Sequence, residues 1–283
     1  MQTKNTFTAE EYRKIRETEV NTLKEFIRIC DKYKLEYFVA FGTAIGAIRH
    51  QGFIPWDDDV DVIMLRADYM RFLEVAPAEV EGRYNLFCAS VQKCVQGFFI
   101  QMSPKGSVFM TAHNTKWPLH PGIKMDIFPY DAVPLDEVKR KKIYRRLRFW
   151  NQLYIIRNVK VPFLGDVGLK ETFIKIACHL AYYAMKIFGP SIDKIVDKYD
   201  SISQSCEEDT GYYVLFDDMT PEHWYMTKDE LFPAKEAIFE GIKVKIPFKN
   251  DEILTRQYGD YMTLPDEEKR VGHDVAELKF PEL

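Results

Sequence analysis

The chain has 283 residues and a formal net charge of −4, with 39 basic and 43 acidic side chains. This balance gives no basic footprint for nucleic acid, and we expect no nucleic-acid partner. This length suits one large domain or two small ones, and the 46% of hydrophobic residues can fill a sizeable core. The five cysteines form no Cys-x-x-Cys pair, which favours a reduced chain over a disulfide framework or a zinc site. The first 14 residues lack the apolar segment of a secretory signal, so we expect a cytoplasmic location.

The first predicted element is a long helix over residues 8–34. Thr8 and Glu11 have the spacing of a capping box, and apolar residues then recur at every third or fourth position, as they do on one face of a helix. A short strand is predicted at 37–41, and a short helix follows at 42–48. Extended chain then leads towards an acidic cluster.

The dipeptide Gly42-Thr43 opens the short helix. A glycine at a helix N-terminus lets a phosphate approach the free backbone N–H groups and the positive end of the helix dipole. Arg49 and His50 follow at the other end, and arginine is a good bidentate partner for phosphate. We therefore predict that these four residues bind substrate phosphate. The alternative is a surface arginine beside a histidine that only ends the helix.

Four carboxylates lie within five residues, at Asp57, Asp58, Asp59 and Asp61, and they run into an apolar segment predicted as a strand over 60–64. Because alternate side chains of a strand share a face, we expect Asp59 and Asp61 to lie side by side. Neighbouring carboxylates repel unless a cation compensates them, and Mg²⁺ typically uses one or two carboxylates together with substrate phosphates. The pattern therefore predicts the metal-holding edge of a phosphoryl-transfer site, with one or two Mg²⁺ ions or Mn²⁺ in their place.

Two other interpretations of the acidic cluster compete with this one. A solvated loop is the commoner explanation of an acidic run, but here apolar residues that favour burial follow at once. A calcium-binding loop would share the spacing, yet its sixth position needs glycine and its twelfth needs glutamate. Val62 and Asp68 occupy those positions, which argues against the calcium loop.

A later strand, predicted over 123–128, carries Asp126. A lone aspartate there would ordinarily be capped or exposed, but a two-metal site needs more than two carboxylates. We predict that Asp126 completes the site of Asp59 and Asp61, and that Asp131 is a turn residue. Further strands are predicted at 84–89, 98–102, 107–112 and 211–216, a hairpin at 237–247, helices at 66–75, 136–157, 170–188, 191–204 and 250–258, and a loop-rich C-terminal end.

The order of these elements predicts an α+β fold. Strands dominate the first part of the chain, three helices follow, and strand-like sequence then returns. We therefore predict a catalytic core formed by residues 1–135 and 206–283, interrupted by a helical insertion at 136–205.

The helix within this insertion is amphipathic. Lys175 and His179 fall on one side of it, Ile176 and Leu180 fall on another, and basic residues also cluster between 139 and 148. A basic amphipathic region can lie on an anionic membrane surface, which predicts peripheral contact with the inner face of the membrane. The alternative is a helix that packs on the core and exposes a solvated basic face.

Three blocks of the chain are specific enough to compare with known families. They are FGTAIGAIRH at 41–50 with GFIPWDDDVD at 52–61, MDIFP at 125–129, and FEG at 239–241 with YGDY at 258–261, Pro265 and His273. Together they resemble the LicD family, and the resemblance covers most of the chain, from about residue 29 to residue 273. The helical region carries no signature of that family.

This resemblance implies a nucleotidyltransferase-like fold of the DNA polymerase β type. It also implies transfer of phosphocholine, or a related phospho-alcohol, from a CDP-activated donor such as CDP-choline to a sugar hydroxyl. The acceptor would be a cell-surface glycan, such as lipopolysaccharide or teichoic acid, or its lipid-linked precursor. By the family pattern, Asp126 lies nearest the incoming hydroxyl and accepts its proton, and His273 touches phosphate or ribose.

Other substrate contacts are expected around the acidic motif. Asp57, Asp58 and Trp56 are candidates for binding the donor. A choline cation needs an aromatic or acidic pocket, for which Trp56, Trp117 and Tyr130 are the aromatic candidates.

Two other functions remain open from the sequence alone. A nucleotidyltransferase that forms an NDP-activated compound from NTP would use the same acidic motif. A non-catalytic binding module could keep the fold, although the intact carboxylates Asp59, Asp61 and Asp126 argue against it.

Overall fold

The computed structural model describes residues 7–111, 114–162, 171–216, 223–273 and 275–281. Residues 112 and 170, at the ends of two predicted elements, lie outside these ranges. The helices are α1 (Ala9–Tyr33), α2 (Phe41–Arg49), α3 (Arg66–Val80), α4 (Ala89–Gln92), α5 (Glu137–Asn158), α6 (Glu171–Phe188), α7 (Ile192–Ser203), α8 (Lys228–Leu231) and α9 (Asn250–Tyr258). The strands are β1 (Phe38–Val39), β2 (Val60–Leu65), β3 (Tyr84–Phe87), β4 (Ile100–Pro104), β5 (Val108–Thr111), β6 (Met125–Ala132), β7 (Tyr212–Val214), β8 (Met226–Thr227), β9 (Lys235–Phe239), β10 (Ile242–Ile246) and β11 (Val275–Lys279). This mixture confirms the predicted α+β class.

Helix α1 begins with the predicted capping box. The hydroxyl of Thr8 accepts a hydrogen bond from the N–H of Glu11 at 3.2 Å, and the Glu11 carboxylate accepts one from the N–H of Thr8 at 2.8 Å. The helix ends at Lys34, whose left-handed φ of 56° closes the last turn. Its buried face carries Phe26, which belongs to the main core, and also Glu19, an acidic residue among apolar ones.

The central sheet has the strand order β1-β2-β6-β4-β3, and β7 and β8 continue from β6. Strands β2 and β6 are parallel, and the other pairs in this sheet are antiparallel. Val62 of β2 and Ile127 of β6 are fully buried, as expected for a parallel pair covered on both faces. The register of this pair places Asp61 directly beside Asp126.

Two smaller sheets flank the central one. Strands β9 and β10 form the predicted hairpin, and its turn is at Glu240-Gly241. Strand β11 pairs with β5, so the C-terminal end, which was predicted to be loop-rich, contributes a strand. A β-bulge between Val275 and Glu277 interrupts the alternation that would reveal this strand in the sequence.

Asp131 lies in strand β6, so its assignment to a turn is wrong. Its side chain is 3% exposed, and its two oxygens accept hydrogen bonds from Arg66 at 2.7 and 2.6 Å. Arg66 begins helix α3, far from Asp131 in the sequence. A bidentate arginine compensates this carboxylate and makes its burial tolerable.

Helices α5 and α7 share an apolar cluster with residues from the 89–119 region. In this cluster Phe98 stacks on Tyr199 with ring centroids 3.6 Å apart. The division of the chain into a core and a helical insertion stays a prediction. Among the described residues, no helix has both the length and the apolar character that crossing a bilayer requires.

Candidate functional site

The acidic motif forms a compact cluster just before strand β2. Among the described residues, Asp57, Asp58 and Asp59 are the acidic side chains that offer oxygens within 4.8 Å of one another. The sequence instead grouped Asp59 with Asp61 and Asp126. In the structure Asp61 and Asp126 are paired across the neighbouring parallel strands β2 and β6, where strands lie about 4.8 Å apart.

The two acidic groups influence each other electrostatically. Burial, together with the charges of Asp59 and Asp58, raises the pKa of Asp57 to about 8. Burial, followed by the charges of Asp59 and Asp126, raises the pKa of Asp61 well above its usual value. The charges of these carboxylates act on one another, and together they stabilise a cation that lies among them. The group consists of Asp57, Asp58, Asp59, Asp61 and Asp126.

Helix α1 holds the loop that leads into the cluster. The guanidinium of Arg16 donates hydrogen bonds to the backbone carbonyls of Ile54 and Pro55, each at 2.9 Å, and of Asp57 at 3.1 Å. These hydrogen bonds position the acidic residues through the backbone of the loop and not through their side chains. Sequence reasoning missed them because the pattern of α1 shows only that Arg16 is a helical residue.

Gly42 and Thr43, which the sequence predicts to bind phosphate, lie next to residues of the acidic motif in the structure. The hydroxyl of Thr43 accepts a hydrogen bond from the N–H of Asp61 at 2.9 Å, so it ties helix α2 to strand β2. A Cβ atom added at Gly42 would collide with Oδ2 of Asp57. The absence of a side chain at Gly42 thus lets the Asp57 carboxylate approach the first turn of α2, where the helix dipole favours an anion.

Arg49 and His50 lie at the far end of α2, and the residues that line the main cavity do not include them. The guanidinium of Arg49 donates hydrogen bonds to the carbonyl of Tyr261 and, at 2.9 Å, to Nε2 of His50. Arg49 therefore anchors the chain after α9, and His50 accepts one of its hydrogen bonds. Their predicted contact with substrate phosphate stays a prediction.

The C-terminal segment closes on the acidic cluster through His273. Nδ1 of His273 lies 2.7 Å from Oδ1 of Asp58, and its backbone N–H donates to Oδ2 of the same carboxylate at 3.3 Å. Asp58 is fully buried and has both oxygens engaged. It holds the C-terminal segment in place, so its predicted role in binding the donor would require this contact to open.

A cavity of about 740 Å³ opens beside the cluster. Its wall contains the acidic residues Glu19, Asp58, Asp59 and Asp126, the basic residues Lys124 and His273, and the rings of Phe99 and Phe109. Trp56, Trp117 and Tyr130, the aromatic residues proposed for choline, are not among its lining residues. Trp56 lies against Arg270, Trp117 lines a separate surface depression and Tyr130 is buried in another apolar cluster.

Sequence reasoning missed Lys124, which forms an ion pair with Asp126. Burial opposes the charge of Lys124, but Asp126, Asp59 and Asp61 outweigh it and raise the pKa of the ammonium group. Lys124 lies two residues before Asp126, a spacing that puts both side chains on one face. That spacing could have identified it.

The chemistry of this donor set fits a hard divalent cation. Carboxylate oxygens are the ligands that Mg²⁺ prefers. Oδ1 of Asp126 is buried and has no hydrogen-bond partner among the residues that the structure describes. A buried carboxylate oxygen without a donor is costly unless a cation or a substrate group meets it.

Comparison with known proteins identifies the chain's relatives. Residues 34–166 match the family model described as LicD/FKTN/FKRP, nucleotidyltransferase domain. The lipopolysaccharide cholinephosphotransferase LicD of Haemophilus influenzae is 32% identical over 265 residues, which cover 91% of this chain and 94% of that protein. An uncharacterized protein of Rickettsia prowazekii is 23% identical over 54% of this chain and 63% of its own length. The extent and identity of the match to the Haemophilus protein show that this chain belongs to the LicD family.

Proposed function

We propose that this protein transfers phosphocholine from CDP-choline to a sugar hydroxyl of lipopolysaccharide or of a lipid-linked glycan precursor. The observation that carries the proposal is the pairing of Asp61 with Asp126 across β2 and β6, next to a large cavity whose wall includes Asp59 and Asp126. It occurs in a chain that is 32% identical to a lipopolysaccharide cholinephosphotransferase along nearly its whole length. A related phospho-alcohol donor, or a teichoic acid acceptor, would use the same site.

Asp59, Asp61 and Asp126 would hold one or two Mg²⁺ ions, or Mn²⁺, and Asp57 adds a carboxylate next to them. When bound, the metal neutralises negative charge on the diphosphate of the donor. The remaining positive groups at the cavity wall are Lys124 and His273. They supply fixed charge where the phosphates would lie.

The reaction follows the usual balance of a phosphoryl transfer. The acceptor hydroxyl oxygen forms a bond to the phosphorus that carries choline, and the bond from that phosphorus to the bridging oxygen of the diphosphate breaks. CMP leaves with the electron pair, and the hydroxyl proton passes to Asp126. Positioning and electrostatic stabilisation supply most of the catalysis in such reactions, and the buried, crowded carboxylates provide both.

The proposal extends to the location of the protein. We infer a cytoplasmic protein of the nucleotidyltransferase type that contacts the inner face of the membrane, where lipid-linked acceptors lie. Helix α6 supports this contact because six of its apolar residues are each at least 51% exposed, instead of packing on the core. They are Phe173, Ile176, Leu180, Tyr183, Ile187 and Phe188.

Positive charge accompanies this apolar stripe. Helix α6 packs against α5, and the guanidinium of Arg157 donates a hydrogen bond to the carbonyl of Met185 at 2.6 Å. The exposed lysines and arginines of α5 include Lys139, Lys142, Arg145, Arg146 and Arg148. An apolar face beside basic residues matches the requirements of an anionic lipid surface.

The test is a product assay with two donor mixtures. CDP-choline with a lipopolysaccharide acceptor is expected to release CMP and to give a choline-bearing glycan. Release of pyrophosphate from CTP and phosphocholine would instead identify a nucleotidyltransferase, and turnover of neither mixture would identify a binding module. Asp61→Asn is the control variant, since it keeps the size of the side chain and removes its charge.

A further inference from the structure

Glu19 is a buried acid that the proposed reaction leaves without a role. Its side chain projects from α1 into the wall of the main cavity, and the residue is 1% exposed. Its Oε2 has no hydrogen-bond partner among the described residues. Burial, and then the charge of Asp59, raise the pKa of Glu19 well above its usual value.

A buried carboxylate of this kind lowers the stability of the folded protein. A buried carboxyl group with an unpartnered oxygen lowers stability whether it is charged or neutral, so a sequence that retains one points to a use for it. Lys124, a basic residue whose charge acts on Glu19, is already paired with Asp126. The cost of Glu19 therefore points to a cation that the substrate brings.

The position of Glu19 discriminates between two kinds of cation. The close acidic cluster that suits a metal ion consists of Asp57, Asp58 and Asp59, and Glu19 lies outside it. Glu19 is nevertheless close enough to Asp59 and Asp126 to be affected by their charges. This intermediate position fits a cation tethered by a short linker to the phosphate, rather than the metal ion itself.

The same cavity wall contains the rings of Phe99 and Phe109. Phe99 packs against Phe128 with centroids 4.5 Å apart, and Phe109 makes an edge contact with His273 at 6.3 Å. Aromatic rings attract quaternary ammonium groups and do not require them to donate hydrogen bonds. A carboxylate with an unpartnered buried oxygen, together with two rings, matches a cation that has no N–H to offer.

We infer that Glu19, which lines the same cavity as Phe99 and Phe109, is the countercharge that binds the trimethylammonium group of the substrate. The inference rests on the proposed function, because in phosphocholine a two-carbon linker fixes the ammonium group close to the phosphorus that is transferred. Glu19 thereby becomes a specificity residue for the alcohol. None of the aromatic candidates from the sequence has this placement.

The experiment compares two donors that differ in one charge. CDP-choline is assayed against its neutral isostere, in which a 3,3-dimethylbutyl group replaces choline, with wild-type protein, with Glu19→Gln and with Glu17→Gln. Glu17 lies on the same helix but is exposed and paired with Arg13, so Glu17→Gln is the matched control. We expect Glu19→Gln to lower kcat/KM for CDP-choline by about tenfold or more and to leave the value for the neutral donor within about twofold.

Other outcomes separate the inference from the proposed function. An equal loss for both donors in Glu19→Gln, or a weakened affinity for Mn²⁺ measured by water proton relaxation, would overturn the inference, because Glu19 would then act on the metal or the fold. Wild-type protein that turns over neither donor would overturn the proposed function, and the inference with it. A retained preference for CDP-choline in Glu19→Gln would assign the ammonium group to another site.

Discussion

Nδ1 of His273 lies 2.7 Å from Oδ1 of Asp58, although 215 residues separate them in the chain. The contact joins the C-terminal segment to the acidic cluster and uses a carboxylate that the sequence alone would assign to substrate. It also makes the chemistry of the cluster dependent on a residue near the end of the chain. Gly272 allows this approach, because a Cβ atom there would lie 2.9 Å from the carbonyl oxygen of Trp56.

The His273 contact predicts a pH-dependent part of the stability. The hydrogen bond to Asp58 outweighs burial and raises the pKa of His273 to about 9, against about 6.5 in the unfolded chain. The raised value means that the folded state holds the proton more tightly. The contribution to the free energy of unfolding is therefore fully present below about pH 6.5 and is lost as the pH rises through about 9.

Urea unfolding of wild-type protein and His273→Gln at pH 6 and pH 9.5 checks this prediction. The difference in unfolding free energy between the two proteins should shrink at the higher pH. His223→Gln, which changes an exposed histidine, is the control and should show no such change. A difference that is equal at both pH values would mean that the ring acts only by packing.

Asp61 predicts a separation of activity from stability, and Asp126 does not. Neutralising Asp61 removes a charge from a buried acidic group whose members raise each other's pKa, so Asp61→Asn should retain cooperative folding. Asp126→Asn also leaves the Lys124 ammonium group without its partner and should lower the free energy of unfolding. Turnover should fall by roughly a hundredfold or more, as when a main electrostatic contact is removed from an active site. Asp197→Asn, on the exposed face of α7, is the control. Full activity in Asp61→Asn would contradict the metal assignment.

The acidic cluster and the buried strand after it could be predicted because their signal is local. The two-residue spacing of Asp59 and Asp61 and their apolar neighbours are visible in a few positions of sequence, as is the capping box of α1. The predicted helices at 136–157, 170–188, 191–204 and 250–258 are likewise confirmed, because helical periodicity and helix ends are local features.

The rest of the site depends on contacts between distant elements. Glu19 looks like one more polar position of a long helix, and nothing near it in the sequence indicates Asp59 as a neighbour. Asp131 follows a proline and resembles a turn residue until its partner Arg66, 65 residues earlier, is known. Such pairs are set by tertiary packing, which a reading of local pattern does not contain.

Gly42 predicts an effect on function that is larger than its effect on stability. Replacing a helical glycine by alanine usually stabilises a helix by about 0.5–1 kcal/mol. In Gly42→Ala the new methyl group would displace the Asp57 carboxylate, which is the movable end of a side chain, so the fold should persist. We expect an unchanged or slightly higher Tm, together with weaker Mn²⁺ binding and lower turnover. Unchanged Mn²⁺ affinity and turnover would mean that Asp57 has no part in the site.

The buried pair of Arg66 and Asp131 predicts a large stability effect away from the reaction. Asp131→Asn leaves the buried guanidinium without its charged partner and should lower the free energy of unfolding by roughly 3–5 kcal/mol. The double variant Arg66→Met/Asp131→Leu should recover most of this loss, since no uncompensated charge remains. Urea unfolding of Arg66→Met, of Asp131→Leu and of the double variant closes the cycle. Strict additivity of the two single effects would contradict a coupled pair.

The exposed stripe of α6 predicts binding to anionic membranes. Leu180 and Ile187 lie two turns apart on the stripe and are 68% and 71% exposed. Replacing both by aspartate removes apolar area and adds negative charge, so both the hydrophobic and the electrostatic parts of lipid binding should fall. Sedimentation with vesicles that contain phosphatidylglycerol should recover the wild-type protein and leave the double variant in the supernatant.

Val91→Asp is the matched control, because Val91 is an exposed apolar residue, 57% exposed, outside α6. It should bind the vesicles as the wild-type protein does. Vesicles of phosphatidylcholine alone should recover less protein, since the basic residues of α5 would find no anionic lipid. Equal recovery on both kinds of vesicle would mean that anionic lipid is not recognised, and recovery of the double variant would mean that the α6 stripe does not bind the bilayer. Activity on a soluble acceptor should then be the same in all variants, because the stripe lies outside the residues that line the catalytic cavity.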